Sequence, residues 1–422
     1  MPHRATQKPS MHSGFYLIAL AFLVLGMTQS FVYAVLPVTV RELGLLEVEA
    51  GMIFSASALF WIVCSPFWGR LSDERGRRHI IALGLLGAAG SQFAFAVVLE
   101  WGHAFGVSIL MLLILARCAN GILGSATRPA ALGYLADRTT AVQRTARVAR
   151  VESGFTVGTM VGPVVGGAVL MWGLAAPFAT FSLLLLLAGI LCVLFLDDTP
   201  VTKAHKQRVK LRASGSNRVH AEWLSPLDIR IRRQLALGAI SSTVHSTLLV
   251  GLGFYMEDVL TAPNAALYTG FGLGASSVAS VICQWMVVPR YGQTPYLLVP
   301  FGATLIALAL ILLVFANSWQ VAFPALCLYG CGHGMFRSGN VAMLFLSVRA
   351  REQGTVAGLL GMVMPIGFLT PIVSMPLYMV MPQLPYMICS IILIGVVIVT
   401  FFNPYFQRTP WQLKRPEPAG KT

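Results

Sequence analysis

The sequence predicts an all-α membrane protein with twelve transmembrane helices in two pseudo-symmetric six-helix bundles. Three observations predict it. Hydrophobic residues make up 56% of the chain and charged residues 11%, with a mean hydropathy of +0.73, where a soluble chain carries about 25% charged residues. Apolar runs of about 20 residues, enough to cross about 30 Å of hydrocarbon as helix, recur along the whole length. One long polar stretch, residues 197–233, divides them six and six. Barrel strands would be half as long and would alternate polar with apolar residues, which these runs do not.

A tail of residues 1–13 precedes runs at 14–37, 50–69, 79–99, 107–133, 148–171 and 177–196, which make the first bundle, 14–196. The first run is too long for a secretory leader and no small-residue cleavage site follows it, so it reads as a retained helix. The fourth holds Arg117 and Arg128, the fifth holds Glu152 and a glycine-rich segment, and the sixth is almost wholly apolar. Residues 197–233 carry nine basic residues around Ser214-Gly215-Ser216; they read as a cytoplasmic linker, which anionic lipid headgroups would also suit. The second bundle, 234–404, has runs at 234–256, 267–288, 295–316, 320–346, 354–378 and 384–404, and a tail of residues 405–422 follows. His245 lies in the polar patch Ser241–Thr247 of the seventh run, and His333, Arg337 and Asn340 lie in the tenth. Shifting the chain by 209 positions lays Gly121 on Gly330 and Arg128 on Arg337, so the halves read as a repeat about an axis along the membrane normal.

The net charge of +14 would suit nucleic acid, but its placement argues otherwise. Of 30 Lys and Arg, twenty-six fall in the tails, in the loops after even-numbered runs or, for Arg150, at the loop end of the fifth run; Arg41 follows an odd-numbered run, and three lie deeper within runs. The positive-inside rule then puts both termini in the cytoplasm, so the charge is an orientation signal. All seven cysteines fall inside runs, which predicts buried thiols and neither disulfides nor a metal site. No H-E-x-x-H, G-x-S-x-G or intramembrane aspartate pair is present, so an enzyme is not expected.

After the second run comes Gly69-Arg70-Leu71-Ser72-Asp73-Glu74-Arg75-Gly76-Arg77-Arg78. It resembles the signature G-x-L-x-D-x-x-G-R-R of the major facilitator superfamily, and the resemblance extends over the span pattern. Gly69 would allow close helix contact and Gly76 a tight turn, while Asp73 would pair with Arg77 or Arg78. With Arg75, the resemblance implies a latch that favours the outward-open state. The matching stretch of the second half keeps only Arg290 and Gly292. In the fifth run, Gly158, Gly162, Pro163, Gly166 and Gly167 resemble G-x-x-x-G-P-x-x-G-G, the mark of the twelve-helix drug and metabolite antiporter branch, although Ala149 stands where that branch usually has glycine. Small residues four apart let helices approach, and Pro163 bends the helix. Arg117, Asn120 and Gly121 are similar to R-x-x-Q-G, whose arginine is linked to proton coupling in relatives; a structural role beside the first helix is equally open.

An intramembrane charge costs at least about 2.5–3.5 kcal/mol, so it faces water, a partner or a substrate. Arg117 and Arg128 are eleven residues apart, three turns plus about 20° of regular helix, and would share a face. Glu152 lies at a similar depth, so Arg128 is either its partner or open to substrate. The repeat position of Glu152 is Gly361. With three arginines against one carboxylate, Arg337 is the candidate for an anionic group, or else it is structural. His333, Asn340, Arg128, His245, Gln29 and Tyr33 complete the candidate substrate site. Glu152, Arg117 and His333 are the candidates for proton coupling.

The expected protein is therefore an alternating-access exporter in a bacterial inner membrane, moving a small organic molecule in exchange for protons. It would need no cofactor beyond the proton gradient and no metal, and would work as a monomer among membrane lipids. The substrate is expected to be anionic or zwitterionic, such as a carboxylate metabolite or siderophore, because the first run, through Gly26–Tyr33, lacks the acid typical of exporters of cationic drugs. The alternatives are a broad multidrug antiporter and, remotely, a non-transporting sensor.

Overall fold

The computed structural model describes residues 11–138, 141–197, 225–291, 294–348 and 353–402. The side chains of some helical residues, Asp73 and residues 141–150 among them, lie outside that description, as do Gly292 and most of the expected linker. Every long element is a helix: α1 (Met11–Glu42), α2 (Glu47–Arg75), α3 (Arg77–Trp101), α4 (Ile109–Ala119), α5 (Thr127–Asp137), α6 (Ala141–Val169), α7 (Ala176–Phe195), α8 (Arg232–Asp258), α9 (Ala265–Met286), α10 (Pro295–Val314), α11 (Trp319–Leu346), α12 (Gln353–Gly367), α13 (Pro371–Val380) and α14 (Leu384–Phe402). Among the described residues, eleven segments are long and apolar enough to cross a membrane. The expected tenth span, α11, has 28 residues and ample length, but its His, Arg, Asn and Gly residues hold its hydropathy below that of the eleven.

Three expected elements differ in detail. The loop after the second span is mostly helix: α2 runs on to Arg75, and α3 starts at Arg77. The reversal rests on Gly76 alone, whose φ of 101° and ψ of 137° suit a residue without Cβ. The fourth span is broken, with a π turn at Asn120–Gly124 between α4 and α5. The eleventh span is also broken: Pro371 has no N–H to continue a helix, and Phe368, Leu369 and Thr370 bond to carbonyls three residues back instead of four.

By its contacts the chain forms two compact units, Met1–Thr39 with Met52–Arg218, and Val40–Gly51 with Val219–Thr422. In the first unit, α6 lies backbone to backbone on α1. A Cβ on Gly154 would stand 2.9 Å from the Ala19 carbonyl oxygen, one on Gly158 would overlap the Leu23 carbonyl, and one on Gly162 the Met27 carbonyl. Residues four apart on α6 thus meet residues four apart on α1, the small-residue packing that membrane helices use. Gly69 differs from expectation, because a Cβ there would meet Pro129 at an ordinary 3.6 Å. Behind these helices, Phe22, Ile81, Leu85, Tyr134 and Leu185 belong to a buried core.

The second unit repeats one contact of the first. A Cβ on Gly121 would run into the Ser57 carbonyl of α2, and a Cβ on Gly330 into the Ser276 carbonyl of α9. The two glycines aligned by the 209-residue shift do the same packing work in their own units. The α12–α13 break packs on the polar patch of α8: Gly367 closes on Ser242, and the hydroxyls of Thr370 and Thr243 are 3.3 Å apart. Before α8, Asp228 accepts from the Arg230 backbone and guanidinium at 2.9 Å, and those bonds hold its carboxyl below the usual range. At the far end of α8, Arg41 reaches Glu47 at 2.9 Å, Glu257 at 3.0 Å and Asp258 at 2.6 Å, with the Tyr378 hydroxyl donating to Asp258 at 2.7 Å.

Candidate functional site

Each unit holds its own cluster of ionisable side chains within the spans. In the first, Arg128 opens α5 and Glu152 stands on α6. The guanidinium donates from Nη2 to Glu152 Oε2 at 2.5 Å and from Nε to Oε1 at 3.2 Å, a two-point pair of the kind that fixes both groups in orientation. Its cationic carbon lies 5.1 Å from the centre of the Phe155 ring. The side chains are 34% and 28% exposed, and Arg128 lies nine residues, about 14 Å of helix, in from Asp137. Of the two readings the sequence left open, pair or substrate contact, the structure makes the pair.

Arg117 and Arg128 do not form one face. The π turn and the break after it interrupt the eleven-residue spacing, so Arg117 turns to α1 and α2 while Arg128 turns to α6. Arg117 is 8% exposed and lies 6.0 Å over the Phe54 ring, which stacks on Tyr33 at 5.2 Å. Gln29 lies one turn before Tyr33 on α1, half-buried. The carbonyls disturbed by the break are retained as acceptors: Trp68 Nε1 and the Ser125 hydroxyl both donate to the Ile122 carbonyl. A π turn within a span is a common mark of a functional site.

In the second unit, His245 of α8 meets His333 of α11 face to face, with ring centres 4.2 Å apart and planes 11° apart. Tyr329, one turn before His333, brings its hydroxyl to 3.0 Å from His245 Nδ1, with its ring 8° from parallel to both imidazoles. Arg337, one turn beyond His333 on α11, is exposed. Asn340 departs from the expected binding face: it is 2% exposed and donates to the Gln234 carbonyl, so it joins α11 to α8. Tyr329 was missed in the sequence, although its i−4 spacing from His333 was a signal for it.

In the 69–78 motif, Arg77 donates to Asp137 at 3.1 Å and to the Ser72 hydroxyl at 2.7 Å, and its guanidinium lies against Gly133. Arg78 donates to the Val193 carbonyl, and Arg75 is exposed. The Asp73 side chain is among those outside the description. In the antiporter motif, Gly158, Gly162 and Gly166 face α1, and Pro163 and Gly167 are buried.

A model of the family described as Major Facilitator Superfamily matches residues 18–371. The quinolone resistance protein NorA of Staphylococcus aureus (strain MSSA476) is 27% identical over 390 residues, covering 91% of this chain and 94% of that protein. The tetracycline resistance protein, class B, of Escherichia coli is 26% identical over 357 residues, 83% of this chain and 84% of the other. Among solved structures, a bacterial homolog of the human lysosomal transporter Spinster matches with a TM-score of 0.75 at 15% identity, covering 98% of this chain and 100% of that one. The xylose transporter XylE from E. coli matches with a TM-score of 0.67 at 16% identity, covering 93% and 99%. Both agree with a shared fold.

Proposed function

Because the chain belongs to the major facilitator superfamily, we propose that it exports a small anionic or zwitterionic organic molecule from a bacterial cytoplasm in exchange for protons. The observation that carries the coupling is the Arg128–Glu152 pair. A carboxylate held by an arginine within the spans has two alternative partners, the arginine and a proton, and a transporter cycling between them moves a proton with each turn. The sign of the coupling narrows the substrate class. For a purely anionic substrate, protonation of Glu152 releases Arg128 to the anion, so proton and substrate reinforce each other, which is the sign of co-transport. A zwitterion's ammonium group competes with the proton for Glu152, and that competition is what exchange requires. In the second unit, Arg337 is the candidate for an anionic group. The 69–78 segment serves as the conformational latch, with Arg77 holding Asp137.

A broad multidrug antiporter is the second reading, favoured by the drug-resistance relatives. Efflux from proteoliposomes under an imposed pH gradient separates the two, with zwitterions, simple carboxylates and cationic dyes run in parallel. Zwitterion efflux is expected to follow the gradient and to fall at least about tenfold in Arg337→Gln, since hydrogen bonds to charged groups contribute about 1.5–3 kcal/mol. Efflux of cationic dyes that the Arg337 change leaves untouched would establish the multidrug reading instead.

A further inference from the structure

Where α9, α10 and α11 meet in the second unit they leave a cleft of about 200 Å³, lined by Val287, Leu298, Phe301, Thr304, Leu305 and Met335. Leu298 and Met335 are buried, whereas Phe301 and Thr304 are exposed, so the cleft opens on the outer surface of the unit. Its one hydroxyl, that of Thr304, already donates to the Pro300 carbonyl at 2.9 Å. A trapped water needs about two to four polar partners, and walls this apolar suit hydrocarbon instead. The depth is that of one lipid leaflet. Leu298 and Leu305 lie three and ten residues in from Pro295, the first residue of α10, or about 4.5 and 15 Å along the helix, against about 15 Å for half the hydrocarbon core. At the Pro295 end stand the groups of a membrane–water interface. Trp285, in the last turn of α9, is exposed. The Arg290 backbone N–H donates to the carbonyl of Val287, a lining residue, at 3.0 Å, and the Arg290 side chain is exposed. Arg290 therefore stands about 6 Å beyond the cleft wall at the 2 Å rise of a 3-10 turn, within reach of its own guanidinium. Helices α9, α10 and α11 and the turn Val288–Tyr291 contain no Asp or Glu.

We propose that this cleft holds one acyl chain of an anionic phospholipid whose phosphate is bound by Arg290. The apolar walls take the chain, and the guanidinium, a planar fork of donors, matches the phosphate oxygens. Trp285 marks the headgroup level, where tryptophan rings sit with one face in hydrocarbon and the N–H towards water. Size separates this site from one for a transported molecule, since clefts for drug-sized ligands run to about 300–1,000 Å³. None of the residues assigned to substrate or proton lines the cleft, so the proposal stands apart from the transport reading. A single basic residue at a membrane surface favours anionic over neutral headgroups by about fivefold, which sets the size of the effect to look for.

The test counts lipids. The purified full chain is stripped of lipid in detergent, mixed with phosphatidylglycerol and phosphatidylcholine of identical chains, and the lipids it retains are counted by native mass spectrometry. One phosphatidylglycerol is expected to be held, about fivefold in preference to phosphatidylcholine. Arg290→Gln should remove the preference while a chain is still held, and Leu305→Trp, which fills the cleft, should lose the retained lipid of either kind. Glycerol phosphate, which has the anion without a chain, should not displace the lipid. Equal retention of the two lipids by the wild type overturns the proposal. So does a preference that survives Arg290→Gln, or a retained lipid that survives Leu305→Trp, because either places the lipid elsewhere, as on the basic stretch 197–233. Displacement by glycerol phosphate at the lipid's own concentration would reduce the site to one for free phosphate and overturns it too. A phosphatidylglycerol with a diazirine in the middle of its chain needs no variant: it should label Phe301, Leu305 or Met335 of the wild type, and labelling confined to other helices overturns the proposal even if Leu305→Trp fails to fold.

Discussion

Gly158→Val is expected to leave little folded protein in the membrane, and Gly158→Ala to lower stability by about 1–3 kcal/mol. The reason lies in what the missing Cβ would meet. At Gly158 it would overlap the Leu23 carbonyl and stand 2.8 Å from the Met27 amide nitrogen, and both are backbone of α1. A side-chain neighbour could rotate away, whereas a helix backbone moves only as a whole. Shifting α1 would also disturb its contacts with Gly154 and Gly162, which lie on the same line. Gly90→Ala is the control. It lies in the middle of α3 with nothing within 4 Å of the point a Cβ would occupy, so alanine there should gain up to about 1 kcal/mol of helix propensity. Thermal midpoints in detergent, read by size-exclusion chromatography after heating, should fall for the first change and hold or rise for the second. Equal behaviour of the two glycines would remove the close packing of α6 on α1 from the account.

How much of this was legible beforehand depends on the range over which each feature is determined. Span number and length follow from local composition, so runs such as 177–196 reappear nearly unchanged as α7 (Ala176–Phe195). The turn at Gly76 was legible because only a residue without Cβ fits that backbone. The breaks at 120–126 and 368–370 were not, since a helical wheel assumes a regular helix. Pro371 hinted at the second, but nothing local announced the π turn that sends Arg117 and Arg128 to different neighbours. The Arg128–Glu152 pair was legible as a possibility because counting residues from the helix ends gives depth. Its formation depends on how α5 meets α6, which sequence spacing does not contain. The meeting of His245 and His333 across 88 positions, and of Arg41 with Asp258, is likewise tertiary.

Glu152→Gln is expected to uncouple transport from the proton gradient without unfolding the protein. The pair it breaks is about a third exposed, so its loss should cost no more than about 1 kcal/mol of stability. Glutamine keeps the shape of the side chain and one acceptor for Arg128, but it can neither bind nor release a proton in the working range. If Glu152 is the carrier, gradient-driven efflux should fall by about 5- to 150-fold, the range over which coupled sites ordinarily influence each other. Exchange of labelled for unlabelled substrate at equal pH needs no net proton movement, but it does need the ammonium contact that glutamine lacks, so it should continue only at a raised half-saturating substrate concentration. Glu152→Asp supplies the complementary case: it restores a titratable group on a shorter stem, and should recover part of the gradient dependence with a weaker hold on Arg128. Should gradient-driven efflux survive Glu152→Gln unchanged, the pair is structural and the exchanged proton travels by another group. Should equal-pH exchange persist with its substrate affinity unchanged, Glu152 holds the proton alone, and competition between an ammonium group and a proton for this carboxylate is removed from the account.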